Sequence, residues 1–163
     1  MDIFEAARTD NVTALNELLK EGQINERDAR GSTPLILATY YNNTAAIAAL
    51  LQAGADTELQ DSMGNTALMG VCFKGYVEAA KLLLENGASV HTENGNGATA
   101  LTFAATFGHN DIISLLLVHG ASPLKKDRFG KNPIDYALLQ GNASGYETLV
   151  AATNRWGHFG NLF

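Results

Sequence analysis

The sequence predicts an all-α solenoid of about five stacked helix-turn-helix units with turn or β-hairpin-like fingers. Two observations carry that reading: a 33-residue period in the glycines, and helix-start and helix-end residues that recur inside each period. Gly31, Gly64, Gly97 and Gly130 form one series, and Gly54, Gly87 and Gly120 form a second. Other positions keep step with them: Thr33, Thr66 and Thr99; Leu35, Leu68, Leu101 and Ile134; and the pairs Leu50-Leu51, Leu83-Leu84, Leu116-Leu117 and Leu149-Val150. A ratio of 16 glycines to 3 prolines fits a chain with many turns that need positive φ.

The elements follow in order along the chain. Residues 1–27 repeat the helical part, with Ala6 matching Ala38 and Leu18-Leu19 matching Leu50-Leu51 at an interval one shorter, and form an N-terminal capping unit. Residues 28–60, 61–93 and 94–126 are full repeats, and residues 127–151 are a C-terminal unit in which Asn132 replaces the threonine. Within a repeat, as in Gly31-Ser32-Thr33-Pro34-Leu35, the threonine hydroxyl caps a first helix that opens on proline, where a missing N–H costs nothing. Gly75 and Gly108 separate the two helices, and a second helix with a broad apolar face, such as Ile112 to Leu117, ends at a left-handed glycine. The next ten or so residues turn into the following unit. Two short helices cannot bury their apolar faces alone, so neighbouring units must stack. Residues 152–163 match no repeat, and either cover the apolar end of the stack or form a tail that inserts Trp156 or Phe163 into a partner; the need for terminal capping favours the first.

These residues resemble the ankyrin repeat across nearly the whole chain. Thr33-Pro34-Leu35-Ile36-Leu37-Ala38 is similar to the family's Thr-Pro-Leu-His-x-Ala opening. Gly54-Ala55-Asp56, Gly87-Ala88-Ser89 and Gly120-Ala121-Ser122 look like its Gly-Ala-Asp turn, and Phe107 to Ile113 looks like its inter-helix segment. The family's histidine after Thr-Pro-Leu is absent, being Ile36, Met69, Thr102 and Asp135 here, which removes a hydrogen-bonding group from each first-helix start. The resemblance implies a curved array whose turn tips and first helices form a concave face for protein partners.

Composition narrows the functional classes. With 46% hydrophobic residues the chain can fill a continuous core. A formal charge of −6 argues against nucleic acid, whose phosphates are met by lysine and arginine, and gives a mild preference for a basic protein partner. The N-terminus, Met1-Asp2-Ile3-Phe4-Glu5, is acidic where a secretory signal starts basic, and no apolar stretch approaches the roughly 20 residues of a membrane helix. One cysteine, Cys72, fits a reducing compartment, so a cytoplasmic location is expected; the short apolar stretches imply no membrane association, and the capped ends favour a monomer.

Signals of chemistry are weak. Gly95-Asn96-Gly97-Ala98-Thr99-Ala100 satisfies a dinucleotide fingerprint, but no buried strand precedes it and Gly97 already belongs to the repeat, so no cofactor is expected. His91, His109, His119 and His158 lack the close pairing with cysteines or carboxylates that a zinc site needs. Cys72 shares its position with Thr39, Ala105 and Leu138, which reads as a small packed residue rather than a nucleophile. Asn11-Val12-Thr13, Asn42-Asn43-Thr44 and Asn142-Ala143-Ser144 match the glycosylation acceptor but sit at turns and helix starts.

The expected binding positions lie beside the finger glycine and near the end of each first helix: Arg30, Met63 and Phe129 on the fingers, and Tyr40, Tyr41, Phe73, Lys74 and Phe107 on the helices. Tyr40 with Phe73, and Lys74 with Phe107, are one repeat apart and should form a row. Aromatic and methionine side chains bury much area with few rotors and are enriched at interface hot spots. The competing reading is that Phe73 and Phe107 simply pack on the neighbouring first helix. The leading functional expectation is a non-catalytic protein-interaction module, an adaptor or an inhibitor; the alternative is an enzyme or ligand-binding protein using the groove as a pocket, which would need clustered titratable groups.

Overall fold

The computed structural model describes the backbone of residues 1–160 and the side chains of residues 1–155. Among the described residues it holds α-helices in five consecutive pairs and no strand. The pairs are α1 (Ile3–Arg8) with α2 (Val12–Leu19), α3 (Pro34–Tyr40) with α4 (Thr44–Gln52), α5 (Ala67–Lys74) with α6 (Val77–Glu85), α7 (Ala100–Thr106) with α8 (Asn110–Val118), and α9 (Pro133–Leu139) with α10 (Ala143–Gly160). First helices pack on first helices and second helices on second helices, so two helical layers enclose one continuous core.

Local chemistry sets the helix limits. Thr33 accepts from the Ile36 amide (3.2 Å) and Thr66 from the Met69 amide (3.3 Å), each satisfying a donor that the first turn leaves free. In α7 and α9 the residue standing where the family has histidine closes a reciprocal box. The Thr99 amide donates to the Thr102 hydroxyl (3.0 Å), while Asn132 and Asp135 exchange amide-to-side-chain bonds of 2.9 and 3.0 Å. The lost histidine is therefore replaced by another hydrogen-bonding device in two of the units. Second helices end in a Schellman arrangement: Ala55 N–H donates to Leu50 O and Gly54 N–H to Leu51 O, both at 3.0 Å, and the same pair recurs at Gly87 and Gly120.

Small side chains set the spacing between first helices. Ala38 and Thr39, Val71 and Cys72, Ala104 and Ala105, each essentially fully buried, lie where one first helix meets the next. Leu35, Leu50, Leu68, Leu83, Leu101 and Leu116 fill the space between the layers. The inter-helix loops are tied across units as well. Asn43 donates to Ala7 O (2.8 Å) and Arg8 O (2.9 Å), and His109 Nε2 lies 3.0 Å from Phe73 O.

The expected fingers are closed turns rather than strand ladders. In each, the first residue's amide donates to the carbonyl four positions on, as Asp61 to Asn65 (2.9 Å), and the finger glycine's amide donates back, as Gly64 to Asp61 (2.9 Å). Adjacent fingers touch through backbone: Gly95 N–H donates to Met63 O (3.1 Å) and Arg128 N–H to Asn96 O (2.8 Å). Arg27 and Gln60 lace them further, Gln60 Nε2 donating to Gly64 O (2.7 Å) and to Glu93 O (2.9 Å) in the next unit, and Arg27 doing the same toward Gly31 O and Gln60 O.

The chain beyond residue 151 differs from the expectation of a separate segment, because α10 continues to Gly160 without a break at Val150. Ala152 is buried, and residues 148–155 of α10 lie along Ser114, Leu117 and Val118 of α8. The Trp156 side chain and Phe163 lie outside the described residues.

Two glycines separate the cost of backbone conformation from that of close approach. Gly87 and Gly64 both have positive φ (87° and 83°), but a Cβ on Gly87 meets nothing within 4 Å whereas one on Gly64 falls 2.7 Å from the Gly95 backbone nitrogen. Gly87→Ala should cost about 1–2 kcal/mol from the left-handed conformation alone, and Gly64→Ala at least about 1 kcal/mol more because two fingers must separate. Urea denaturation of the two variants checks this; equal losses would mean that the fingers give way freely.

Candidate protein-binding face

The first helices and fingers expose one continuous face, and most of the expected residues are on it. Tyr40 is 50% exposed, Met63 68%, Phe73 41% and Phe107 48%. Tyr40 and Phe73 stand on helices whose other face is core, Phe107 caps the end of α7, and Met63 stands on the finger before α5. Tyr40, Met63 and Phe73 line a single groove of about 370 Å³ lying over α5, between finger 61–65 and helices α3 and α7. Ile36, Met69, Gly70 and Phe103 complete its apolar wall, and Asp61 is the one carboxylate in its lining.

Phe107 does not line the groove but packs edge-on against Phe73, with ring centroids 4.6 Å apart. Each of these rings therefore both contacts its neighbour and remains open to solvent, so the packing reading and the exposed reading hold together. Lys74 places Nζ 4.5 Å from the Tyr40 ring centroid, within cation–π range, which holds the tyrosine at the groove edge. The contacts are diagonal: Lys74 reaches Tyr40 rather than its register mate Tyr41, and Phe107 reaches Phe73 rather than its register mate Lys74. Tyr41 stands beside Tyr40 in an edge-on pair, 5.0 Å between centroids, at the end of α3. Arg30 is exposed on the preceding finger and Phe129 on the last finger, two units away, and neither lines this groove. The groove-wall residues Ile36, Met69, Gly70 and Phe103 were not among the expected positions, since each sits mid-helix where the repeat pattern reads as core.

Position 136 shows what a side chain at the groove floor does elsewhere in the stack. Tyr136, one turn into α9, donates its hydroxyl to Asp127 of its own finger. Asp127 uses its other oxygen for the Phe129 amide (2.9 Å) and the Lys131 amide (3.2 Å). Burial and the hydrogen bond to the Asp127 carboxylate push the Tyr136 phenol up to about 12. Burial acts upward on Asp127 too, but the hydrogen bonds from Tyr136, Lys131 and Phe129 outweigh it and hold the carboxyl below its ordinary value.

Titratable groups elsewhere offer little chemistry. Cys72 is fully buried, and burial pushes its thiol far above the ordinary range, which keeps it protonated and unreactive. Among the described residues no three His, Cys, Asp or Glu side chains come together as a metal site, and no helix is long and apolar enough to cross a membrane.

A family model described as ankyrin repeats (3 copies) matches residues 3–94 and again residues 71–156. The chain belongs to the ankyrin-repeat family. Over 60 residues, 36% of this chain, it is 42% identical to the mitochondrial disaggregase of Bos taurus and 38% identical to that of Homo sapiens. It is 40% identical over 60 residues to the ankyrin repeat domain-containing protein SAT10 of Stachybotrys chartarum. The match spans only 9%, 8% and 3% of those proteins, so the likeness is to a small part of each and not to the whole. Ankyrin repeats generally mediate protein–protein interaction, and the fold is typically non-enzymatic.

The Tyr136–Asp127 bond yields a pH prediction. Tyr136 titrates higher folded (about 12) than its ordinary 10.0, so its contribution is complete below pH 10.0 and disappears as pH rises through 12. Tyr136→Phe should lose about 1 kcal/mol at neutral pH, a charge-assisted hydrogen bond discounted for partial exposure. It should also show a shallower stability loss above pH 10.0 than the parent. Urea midpoints across that range, with ultraviolet titration of tyrosinate, check both.

Proposed function

We propose that this ankyrin-repeat chain is a non-catalytic interaction module that holds a partner protein, as an adaptor or an inhibitor, through the groove over α5 and the aromatic residues around it. One observation carries the reading: Tyr40, Met63, Phe73 and Phe107, large apolar side chains, are 41–68% exposed and contiguous on the face where scaffold needs alone would accept small polar residues. Such a cluster is costly to leave in water and matches the composition of interface hot spots. The polar groups at the groove are of opposite sign, Asp61 in its lining and Lys74 over Tyr40 at its edge, so the net charge of −6 is not concentrated there. Selectivity for a partner then rests on shape and apolar contact, with charge acting at the rim.

An enzymatic use of the same groove finds little support. Acid–base or nucleophilic catalysis needs two or more titratable groups within reach of one substrate atom. The groove offers the Asp61 carboxylate and the Tyr40 phenol amid apolar walls. Absence of a membrane-crossing helix among the described residues is consistent with a partner met in solution.

The test is affinity capture from source-cell lysate with mass spectrometry, comparing the parent with a variant carrying Tyr40→Ala, Phe73→Ala and Phe107→Ala, both first shown folded by circular dichroism. A specific partner should be held by the parent and bound at least about 100-fold more weakly by the variant, because hot-spot truncations cost about 1–2 kcal/mol or more each. Equal capture by the two would place the interface elsewhere.

A further inference from the structure

Gly70 is a glycine that its surroundings do not require. It sits inside α5, is absent from the positive-φ positions, and a Cβ built on it meets nothing within 4 Å. A helix-interior glycine weakens the helix relative to almost any other residue. Its one structural consequence is the hollow in the groove floor beneath finger 61–65.

The repeat shows which residues stand at the same register position in the other units. The positions in register with Gly70 are Leu37, Phe103 and Tyr136, each carrying a large side chain. The last of these is the informative one, because Tyr136 donates its hydroxyl to Asp127, and the residue in register with Asp127 above Gly70 is Asp61. The two fingers are built alike. Asp61 Oδ1 accepts from the Met63 and Asn65 amides, both at 2.9 Å, as Asp127 Oδ1 accepts from Phe129 and Lys131. What differs is the second oxygen: Asp127 Oδ2 receives the phenol, whereas Asp61 Oδ2 accepts no hydrogen bond among the described residues and Asp61 lines the groove. The pair Asp61 and Gly70 is thus the pair Asp127 and Tyr136 with the phenol removed.

Resting on the binding reading above, we infer that the groove is a tyrosine site: a partner protein inserts a tyrosine side chain over Gly70, with its ring between Tyr40, Phe73 and Phe103 and its hydroxyl donating to Asp61 Oδ2. Tyrosine suits both halves of the place, since its ring is apolar and its tip requires a hydrogen-bond partner when buried. The carboxylate selects the same ligand from the other side, because phenylalanine would bury Asp61 unpaired and a phosphorylated tyrosine would bring a second anion against it.

The experiment titrates the isotope-labelled full chain with N-acetyl-L-tyrosinamide, N-acetyl-L-phenylalaninamide and the O-phosphorylated tyrosine amide, read by amide chemical shifts. The tyrosine probe should shift Asn65, Thr66, Met69 and Gly70, and the other two should bind at least about fivefold more weakly. Asp61→Asn should erase the preference between tyrosine and phenylalanine while leaving the finger closed, since Asn94 makes the same two turn bonds in the next finger (2.9 and 3.0 Å). Gly70→Tyr should abolish the shifts by filling the hollow from within; Gly70→Leu, which restores the residue of the second unit, serves if that variant does not fold. Shifts outside the groove, none up to the probe's solubility limit, or equal affinity for tyrosine and phenylalanine would overturn the proposal. A captured partner lost by the alanine variant but kept by Gly70→Tyr would also overturn it while leaving the binding face standing. Capture unaffected by the alanine changes would overturn the binding face and the proposal together, even with tyrosine-probe shifts in the groove, because the partner would then not use it.

Discussion

The contact between successive first helices is the constraint from which the rest of the molecule follows. A pair of helices of six to nine residues buries too little to persist alone, so each unit depends on its neighbours for most of its stability. That contact is made by alanine, threonine, valine and cysteine side chains that are essentially fully buried, and their small size brings the helices close. Closeness has a second effect on the outer face. It presses larger side chains at the helix ends into one another, giving the Phe73–Phe107 pair and the stacking of Lys74 on Tyr40. A stability device thereby arranges the surface available to a partner.

The fingers obey the same logic with polar chemistry. Each is closed by an aspartate or asparagine accepting two amides; Arg27 ties the first to the second, a backbone bond and Gln60 tie the second to the third, and a backbone bond ties the third to the fourth. The finger over α5 is therefore anchored on both sides, and its Asp61 is held in place before any ligand arrives. Preorganisation of this kind reduces the entropy lost on binding.

Much of this was legible in the sequence because repetition turns weak local signals into strong ones. Thr33 or Gly87 alone suggests a cap or a turn, but the same residue at a fixed interval fixes helix starts, helix ends and stacking at once. The face was partly legible for the same reason, with Tyr40, Met63 and Phe73 falling at positions the scaffold does not use. Three features were not. The diagonal contacts depend on how far one unit is displaced against the next, which a one-dimensional register does not contain. The register of Gly70 with Leu37, Phe103 and Tyr136 is readable in the sequence, but the hollow needs the groove around it and the Tyr136–Asp127 bond, which only the structure shows. The continuation of α10 to Gly160 lies where the repeat pattern has stopped, leaving no register to extend.

Likeness over small portions of much longer proteins does not carry their functions to this chain, since a fold is a scaffold and does not determine function. The most direct measurement is photo-crosslinking in source cells with a reactive amino acid placed either at Met63, 68% exposed at the groove, or at Val118, 83% exposed at the end of α8 in the other helical layer. If the groove over α5 is the binding site, position 63 yields one dominant covalent adduct and position 118 yields none above background. An adduct to the same protein from position 118 alone would contradict the account.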